Sequence, residues 1–347
     1  MEYFYDILKQ LIRTPSVVGA EHPFFLFLKR ELEVIGLTVK YYDGVLVAKG
    51  NDPESGYISA HADRHGLICT GHNEFQYAAF VAKNQADLTG KSNSEQLLKN
   101  FTARFVDQAV QAYDPWSGAY LGLGLIEDAS LCERRHNIIF TVDGFEHLYP
   151  GTPIGFVDKL KIEDDLISAQ LDNVLSIAII IYMYHLGYQG TAFFTSSEEA
   201  GRSWRFLLEW FRRVNKSTNE LLVLDTSPYS TLEDMLNLDV VLRNKDANAT
   251  FKSPLKQKIK KICIEEKLNY HYKDAYIRNI NEQKGIKNYS VGITELGRII
   301  KATKGEINGA TLQIPTIGYH TAQETTHKKS IDAIINILSK LYLKEKK

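Results

Sequence analysis

Helical and strand-like apolar spacings alternate at the beginning of the chain. Residues 3–13 and 24–35 carry apolar side chains three and four positions apart, as amphipathic helices do, and each stretch is followed by a proline or glycine that ends a helix. Residues 37–50 then read as two strands joined by an Asp-Gly turn, and residues 56–61 read as a third strand. Helices that alternate with strands predict an α/β sandwich.

The pattern changes between residues 70 and 157. Short strand-like pieces, frequent turn residues and one helical stretch at 94–113 replace the regular alternation. The alternation resumes with a long apolar helix at 173–187, which ends in glycine. We therefore predict a smaller inserted lobe at 70–157 that interrupts one larger domain made of residues 1–69 and 158–347.

The composition narrows the classes of partner. Of the 347 residues, 44% are hydrophobic and 24% are charged, which is ordinary for a globular protein that buries its own core. The net charge is −1, so no basic field attracts nucleic acid or an anionic membrane, and the longest apolar run is too short to span a bilayer. We expect no nucleic-acid or membrane partner, and a small molecule or a short peptide as the ligand.

The cysteines and the first residues favour a cytoplasmic location. Cys69, Cys132 and Cys263 lie far apart and form no CxxC pair, which argues against a disulfide framework and against a thiolate zinc site. The first residues include early acidic side chains and no continuous apolar segment, so we expect no secretory signal peptide there.

Acidic residues and histidines stand where apolar strands end. They are His61 and Asp63 after GYISA, Asp172 after ISAQL, Glu198 and Glu199 after TAFFTSS, Asp225 after ELLVL, and His320 after TIGY. The carboxyl ends of parallel strands meet at one edge of an open α/β sheet, where ligands bind. Imidazole nitrogens and carboxylate oxygens together suit Zn²⁺, Co²⁺ or Mn²⁺. The pattern therefore predicts a divalent metal site at this edge of the sheet.

Each of these residues also has a simpler interpretation when it is taken alone. A single histidine at a strand end is usually a polar residue with an ordinary partner. Asp172 could cap the helix that follows it, and Glu198 with Glu199 could complement the dipole of the next helix. Asp225 could be a turn residue. The repetition at successive strand ends favours the metal site over these separate explanations.

The order of the motifs resembles that of a known family. The motifs are HAD at 61–63, LDN at 171–173, TSSEEAG at 195–201, LDTSP at 224–228 and IPTIGYH at 314–320. Together they resemble the deblocking or glutamyl aminopeptidases, a tetrahedral-aminopeptidase-like family of dinuclear zinc or cobalt metallopeptidases. The resemblance extends over nearly the whole chain. It implies a zinc-exopeptidase-like α/β/α sandwich with a mixed, mostly parallel sheet, interrupted by a smaller, mainly β inserted lobe.

The resemblance also implies a role for each residue. Two divalent metal ions, Zn²⁺ first and Co²⁺ or Mn²⁺ as alternatives, would be bound by His61, Asp172, Glu199, Asp225 and His320. Asp172 would bridge both ions, and the Asp63 carboxylate would hold the His61 ring in place. Glu198 would act as the general base that takes a proton from the attacking water.

Several residues near the motifs are candidates for substrate binding. Arg64 and His65 follow HAD, where relatives commonly have an acidic and an apolar residue. Either one could favour a substrate with an acidic side chain, while Arg64 could instead be a surface residue before the lobe. Thr294 and Glu295 stand where relatives place a Gly-Thr-Asp-like segment near the substrate. Glu324 could support the preceding histidine or cap the last helix.

The sequence leaves three functions open, of which one is favoured. We predict a metal-dependent aminopeptidase that removes N-terminal residues from short peptides with a free N-terminus. A deacylase or amidohydrolase of small N-acyl compounds would use the same metals, and a non-catalytic scaffold would keep the fold alone. A glycosidase uses paired carboxylates and would leave the histidines unexplained. Relatives often form multi-subunit shells, so we expect a homo-oligomer in which the lobe is buried against another subunit.

Overall fold

The fold is described by a computed structural model that covers residues 1–83, 94–285 and 290–343. Its helices are α1 (Glu2–Arg13), α2 (His22–Val34), α3 (Ala78–Lys83), α4 (Ser94–Phe105), α5 (Val174–His185), α6 (Ser203–Arg213), α7 (Leu232–Leu236), α8 (Pro254–Glu265), α9 (Lys273–Lys284), α10 (Glu295–Ala302) and α11 (Lys328–Tyr342). Its strands are β1 (Thr38–Tyr42), β2 (Val45–Lys49), β3 (Tyr57–His61), β4 (Leu67–Gly71), β5 (Glu74–Tyr77), β6 (Ala109–Tyr113), β7 (Tyr120–Cys132), β8 (Asn137–Asp143), β9 (Pro153–Phe156), β10 (Lys161–Glu163), β11 (Leu166–Ala169), β12 (Thr191–Thr195), β13 (Thr218–Pro228), β14 (Val240–Leu242), β15 (Tyr270–Tyr272), β16 (Ile307–Thr316) and β17 (Glu324–His327).

Eight strands form the central sheet, in the order β1-β2-β12-β3-β13-β16-β14-β15. The middle strands β12, β3, β13 and β16 run parallel to one another, while antiparallel pairs lie toward the edges. The carboxyl ends of the middle strands therefore meet at one edge of the sheet. This confirms the predicted α/β class with a mixed sheet.

Helices cover both faces of the central sheet. In β2, Leu46 and Ala48 face the core that includes residues of α1, α2 and α5. Val45 and Val47 face the opposite core, which includes residues of α6 and α10. Helix α5 is apolar on all sides because it packs against the sheet as well as against α1 and α11. The two covered faces make a three-layer sandwich, and no helix in the described part of the chain is long and apolar enough to cross a bilayer.

A closed barrel of six strands lies between β3 and β10 in the order of the chain. Its strand order is β4-β5-β8-β7-β6-β9, and it extends along the chain from Leu67 to Phe156. Aromatic side chains such as Phe75 and Phe140 fill its interior together with aliphatic ones. The barrel lies where the sequence predicted a mainly β lobe, and the division into domains at residues 70–157 stays a prediction.

The helix predicted for the lobe is shorter than expected. Helix α4 ends at Phe105, and Ala109–Tyr113 form strand β6 instead of continuing the helix. Asp107 adopts a positive φ of 64°, which a right-handed helix cannot contain. Val110 and Ala112 are buried on one side of the strand, so the sequence there has the period of two that belongs to a strand.

Candidate metal centre

Four parallel strands bring His61, Glu199, Asp225 and His320 to one edge of the central sheet, while Asp172 follows β11 of a separate three-stranded sheet. β3 ends at His61, which pairs in register with Thr195 at the end of β12, and Glu198 and Glu199 follow directly. Asp225 lies in β13 on the other side of β3, and the next strand, β16, leads to His320. The cavity beside them has a volume of about 560 Å³, and its lining includes His61, Asp172, Glu198, Glu199, Asp225 and His320. A cavity of this size holds a small ligand.

Asp172 lies between the two histidines. It follows β11, and the peptide bond that joins it to Asn173 is cis. Its Oδ1 is 3.2 Å from His61 Nε2, and its Oδ2 is 3.8 Å from His320 Nε2. One oxygen thus faces each histidine, as a carboxylate that bridges two ions requires. Helix α5 starts without a side-chain capping bond, so the alternative interpretation of Asp172 as its cap is wrong.

The other predicted ligands lie on the two sides of Asp172. Asp225 Oδ1 is 3.6 Å from His61 Nε2, so His61, Asp172 and Asp225 form one group. Glu199 Oε1 is 3.6 Å from His320 Nε2 on the other side. The structure therefore brings the predicted ligands together in two groups that share the Asp172 carboxylate.

Asp63 holds the loop that carries the two adjacent glutamates. Its Oδ1 accepts the backbone N–H of Glu198 at 2.9 Å, and its Oδ2 accepts that of Glu199 at 3.0 Å. The His61 ring meets Asp63 mainly at the backbone, because Nδ1 is 3.1 Å from the carbonyl oxygen and 3.7 Å from the carboxylate. The carboxylate that was expected to orient the ring thus makes its hydrogen bonds to the loop.

Burial and neighbouring charges raise the pKa of the two adjacent glutamates. Burial raises the pKa of Glu198 well above its ordinary value, and the charge of Glu199 raises it further. Burial and the charge of Asp172 raise the pKa of Glu199 in the same way. Within the described residues, no lysine or arginine forms an ion pair with any carboxylate of the cluster. A divalent cation would supply the missing positive charge.

The residues present fit such a cation. Asp172 Oδ1 is buried and has no hydrogen-bond partner in the described part of the chain, because His61 Nε2 is close but not aligned to donate. A buried polar atom without a partner is costly, and that cost disappears when the atom binds an ion. A donor set of imidazole nitrogens and carboxylate oxygens suits Zn²⁺ and its neighbours.

Glu324 holds the backbone on both sides of the cluster. Its Oε2 accepts the N–H groups of Leu171 and Asp172, each at 2.8 Å, and its Oε1 accepts that of His320 at 2.8 Å. Of the two roles considered for Glu324, support of His320 is therefore the one that the structure contains. The cap of the last helix is His327 instead.

Glu21 also supports the cluster and was not predicted. Its Oε1 accepts the backbone N–H of Ser197 at 3.1 Å, one residue before Glu198. Burial, together with the charge of Asp63, raises the pKa of Glu21 to about 7. The sequence shows only that Glu21 precedes helix α2, and an acidic residue is ordinary at that position.

Arg64, a predicted substrate residue, is a structural residue. It is 5% exposed, so its alternative interpretation as a surface residue is wrong. Its guanidinium donates to Ser16 Oγ at 2.8 Å and to the carbonyl of Ile12 at 3.0 Å, and it also donates to the carbonyl of Thr14. These bonds satisfy carbonyl groups at the end of α1, and Arg64 does not line the cavity.

The predicted substrate residues Thr294 and Glu295 lie at the start of α10. Thr294 lines the cavity, but its hydroxyl accepts the N–H of Gly297 at 3.1 Å and so caps the helix. Glu295 is buried against the sheet, where the hydroxyls of Ser59 and Thr195 donate to it at 2.6 and 2.8 Å. Glu295 is absent from the cavity lining and connects α10 to two strands.

His65, unlike Arg64 and Glu295, lies among the predicted metal ligands. Its Nε2 is 2.8 Å from Glu199 Oε1, and its ring centroid is 3.5 Å from that of His320. His65 is not among the residues that line the cavity. It therefore faces the ligands and not the space in which a substrate would lie.

Two cations line another part of the cavity and were not predicted. Arg243 Nε donates to Gln313 Oε1 at 2.7 Å, and its Nη1 donates to a backbone carbonyl at 2.6 Å. Lys273 donates to the carbonyl of Pro228, and its Nζ lies 3.8 Å from the centroid of the Tyr229 ring. Neither forms an ion pair with an acidic side chain of the described residues. The sequence shows the two charges but not that both face one cavity.

Known proteins share this fold. No family profile and no curated protein sequence matches the chain. The TET aminopeptidase of a marine-sediment Thaumarchaeota archaeon is 15% identical, with a TM-score of 0.72 over 99% of this chain and 97% of that chain. The TET1 peptidase of Pyrococcus horikoshii, described as assembling into a tetrahedron or a large octahedral shell, is 17% identical, with a TM-score of 0.66 over 98% and 99%. A Thermotoga maritima protein described as an endoglucanase is 13% identical, with a TM-score of 0.63 over 96% of each chain.

The chain has the fold of the TET-type aminopeptidases. These are the tetrahedral aminopeptidases that the order of the motifs resembles, so that resemblance is confirmed at the level of the fold. The match covers nearly all of this chain and of the compared chains. At such low identity the reaction has to be argued from the site itself.

Proposed function

We propose that this protein is a cytoplasmic, metal-dependent aminopeptidase that removes N-terminal residues from short peptides. The proposal is supported by one observation above all, the cluster of histidines and carboxylates at one edge of the central sheet beside a cavity of about 560 Å³. Two of the compared structures with this fold are a TET aminopeptidase and a TET1 peptidase. The cysteines Cys69, Cys132 and Cys263 are free, as a reducing cytoplasm would keep them.

Glu198 is the residue that moves the proton in this proposal. Two divalent ions, Zn²⁺ first and Co²⁺ or Mn²⁺ as alternatives, would be held by His61, Asp172, Glu199, Asp225 and His320, and would polarise the peptide carbonyl and lower the pKa of water at the site. Glu198 accepts the proton of the attacking water as its oxygen bonds to the carbonyl carbon. Glu198 then gives the proton to the leaving nitrogen as the C–N bond breaks. Asp63 positions Glu198 through the backbone bond at 2.9 Å.

The function is tested with a panel of aminoacyl p-nitroanilides and their N-acetylated counterparts. Chelated protein should be inactive and should recover after Zn²⁺, Co²⁺ or Mn²⁺ is added. Cleavage of the free-amine substrates alone supports the aminopeptidase, whereas cleavage of the acetylated ones would favour a deacylase. No turnover by metal-loaded protein would favour a scaffold. A soluble β-glucan completes the panel because one protein with this fold is described as an endoglucanase.

The two cavity cations favour a substrate with an acidic side chain. Arg243 and Lys273 are both buried, and burial together with the charge of Arg243 lowers the pKa of Lys273 to about 7. Gln313 connects Arg243 to the metal centre, since its Nε2 is 3.4 Å from Asp225 Oδ2. The cations thus lie near the place where the first side chain of a bound peptide would lie. A carboxylate there would pair with the Arg243 charge and favour the protonated form of Lys273, and neither side chain has an ion-pair partner among the described residues.

We therefore expect kcat/KM to be at least about 10-fold higher for glutamyl and aspartyl p-nitroanilides than for glutaminyl and leucyl ones. Arg243→Gln and Lys273→Met should each lower kcat/KM on the acidic substrates by about 10- to 100-fold, with a smaller loss on leucyl substrates. Lys252→Met, at an exposed lysine, is the control. Equal cleavage of leucyl and glutamyl substrates by the wild type would contradict this preference.

We also propose that the protein forms a homo-oligomer through its barrel. Strand β7 exposes a leucine ridge, which consists of Leu121, Leu123 and Leu125. The intervening Gly124 turns inward, where an added Cβ would lie 2.9 Å from the Phe145 ring. The strand thus presents its large apolar side chains to the outside, which is typical of an interaction surface. The P. horikoshii peptidase with this fold is described as assembling into shells.

The double variant Leu123→Asp with Leu125→Asp should dissociate the assembly into smaller species. Each leucine that is buried at a subunit interface contributes about 1.5–3 kcal/mol, and an aspartate there would also lose its hydration. Light scattering coupled to size exclusion measures the mass. Ser130→Asp is the control because Ser130 is exposed on the same strand. A monomeric wild type, or an unchanged mass of the double variant, would count against this interface.

A further inference from the structure

His65 has no part in the mechanism above, yet it lies among the residues that carry the mechanism. It is 2% exposed and comes two residues after the HAD motif. Its Nε2 is 2.8 Å from Glu199 Oε1, and its ring lies against that of His320. His65, Glu199 and His320 each offer one donor atom, and these atoms lie within 4.8 Å of one another. The group of His61, Asp172 and Asp225 meets the same distance limit.

The two ring nitrogens of His65 have different surroundings. Nδ1 is hydrogen-bonded to the hydroxyl of Tyr77 in β5. Nε2 is buried and has no hydrogen-bond partner within the described residues, because the nearby Glu199 oxygen is not aligned with it. One engaged nitrogen and one buried, unpaired nitrogen are what a metal-binding histidine presents.

We propose that His65 is an additional metal ligand, which binds through Nε2 beside Glu199 and His320. The inference rests on the metal centre of the proposed function. When Nδ1–H is donated to the Tyr77 hydroxyl, the lone pair of Nε2 is directed to the other side of the ring, where it is available to an ion.

The additional imidazole makes the two halves of the centre unequal. The half that contains Glu199 gains a second imidazole, from His65 in addition to His320, whereas the half that contains Asp225 has only His61. Imidazole is a neutral ligand that suits Zn²⁺ and Co²⁺, so it strengthens binding without adding to the crowded negative charge. We expect the ion beside His65 to be the more tightly bound of the two.

A structural role for His65 predicts a different outcome. If the ring only donated a hydrogen bond to Glu199, the amide of glutamine could replace it. If the ring binds the ion, glutamine cannot replace it, because an amide is a poor ligand for Zn²⁺. The variants His65→Leu and His65→Gln therefore separate the two roles. Tyr77→Phe removes only the hydroxyl that holds Nδ1.

Metal binding is measured without substrate, by Co²⁺ titration of the chelated protein followed by visible absorption and by Zn²⁺ competition with a chromogenic chelator. We expect the wild type to bind two equivalents. Both His65 variants should weaken one of them by more than about 100-fold, beyond the range usual for a residue that only supports a ligand, and should change the Co²⁺ spectrum. Tyr77→Phe should weaken the same equivalent by about 10- to 100-fold and keep the shape of the spectrum.

Unchanged affinity and spectrum in His65→Leu, or full recovery in His65→Gln, would overturn the proposal. The melting temperature in excess chelator, to which no metal contributes, shows whether each variant folds. If His65→Leu does not fold, the metal affinities of His65→Gln and Tyr77→Phe show whether His65 binds the ion. A wild type that binds two ions and hydrolyses no peptide substrate would refute the aminopeptidase but not the role of His65. A wild type that binds no ion would refute both.

Discussion

Glutamine in place of Glu198 should stop turnover while both metal ions stay bound. We expect kcat to fall by about 10²- to 10⁴-fold, the usual loss when a general base is removed. The amide has the size of the carboxylate but cannot accept a proton from water. Because Glu198 is not one of the proposed ligands, the ions should remain. The measurement is kcat on the best free-amine substrate, together with the metal content of the same sample.

Glu199→Gln is the matched control, since it makes the same chemical change one residue further along. Glu199 Oε1 lies 3.6 Å from His320 Nε2. The main defect of this variant should therefore be weaker metal binding. Added metal should then restore part of its activity, whereas it should not restore Glu198→Gln. Retention of more than about one-tenth of kcat in Glu198→Gln would remove Glu198 from the mechanism as its general base.

The clustering of the predicted ligands could be anticipated because each lies in a short local pattern. An apolar strand that ends in a histidine or an acid is visible within about six residues of sequence. The parallel strands then place their carboxyl ends side by side, since His61 pairs in register with Thr195 in the sheet. A position at a strand end in the sequence therefore becomes a position at one edge in space.

The residues that support the site could not be predicted, because their partners are distant in the sequence. Glu295 bonds to Ser59 across 236 positions, and Glu21 bonds to Ser197 across 176 positions. The sequence shows that a charge exists but not which backbone or hydroxyl group faces it. Arg64 illustrates the same limit. Its charge suggested that it binds the substrate or lies at the surface, but its partners are carbonyl groups at the end of a helix.

Removal of the metal ions should destabilise the fold, and more at pH 8 than at pH 6.5. A ligand at 1,000 times its Kd stabilises the native state by about 4 kcal/mol, and chelation removes that contribution. In the metal-free protein the pKa of Glu21 is raised to about 7. Burial also raises the pKa of Glu198, Glu199 and Glu324. A carboxyl group whose folded pKa is raised contributes stability that is complete below its unfolded pKa and is lost as the pH rises through the folded pKa.

The histidines do not reverse this sign between pH 6.5 and pH 8. Burial lowers the pKa of His65 to about 3 and also lowers that of His320, so in the folded state both are neutral throughout this range. In the unfolded chain they are half protonated at pH 6.5, which is close to their ordinary pKa, and neutral at pH 8, so the two together oppose the carboxyl groups by only about 0.8 kcal/mol. Burial alone would lower the pKa of His61, but Asp172 and Asp225 raise it well above its ordinary value. The stability that His61 contributes is therefore lost in the same direction as that of the carboxyl groups.

Melting temperatures in excess chelator and in excess Zn²⁺, at pH 6.5 and pH 8, measure this effect. The zinc-loaded protein should melt at a higher temperature than the chelated protein, and this difference should be larger at pH 8 than at pH 6.5. Bound cations keep the carboxylates ionised and so remove the cost of charging them. Asp172→Asn, which changes the side chain that faces both histidines, should show little gap at either pH. Equal melting temperatures of chelated and zinc-loaded wild type at pH 8 would contradict a metal centre in this cluster. A gap that narrows with pH would mean instead that the charging of the histidines outweighs that of the carboxyl groups.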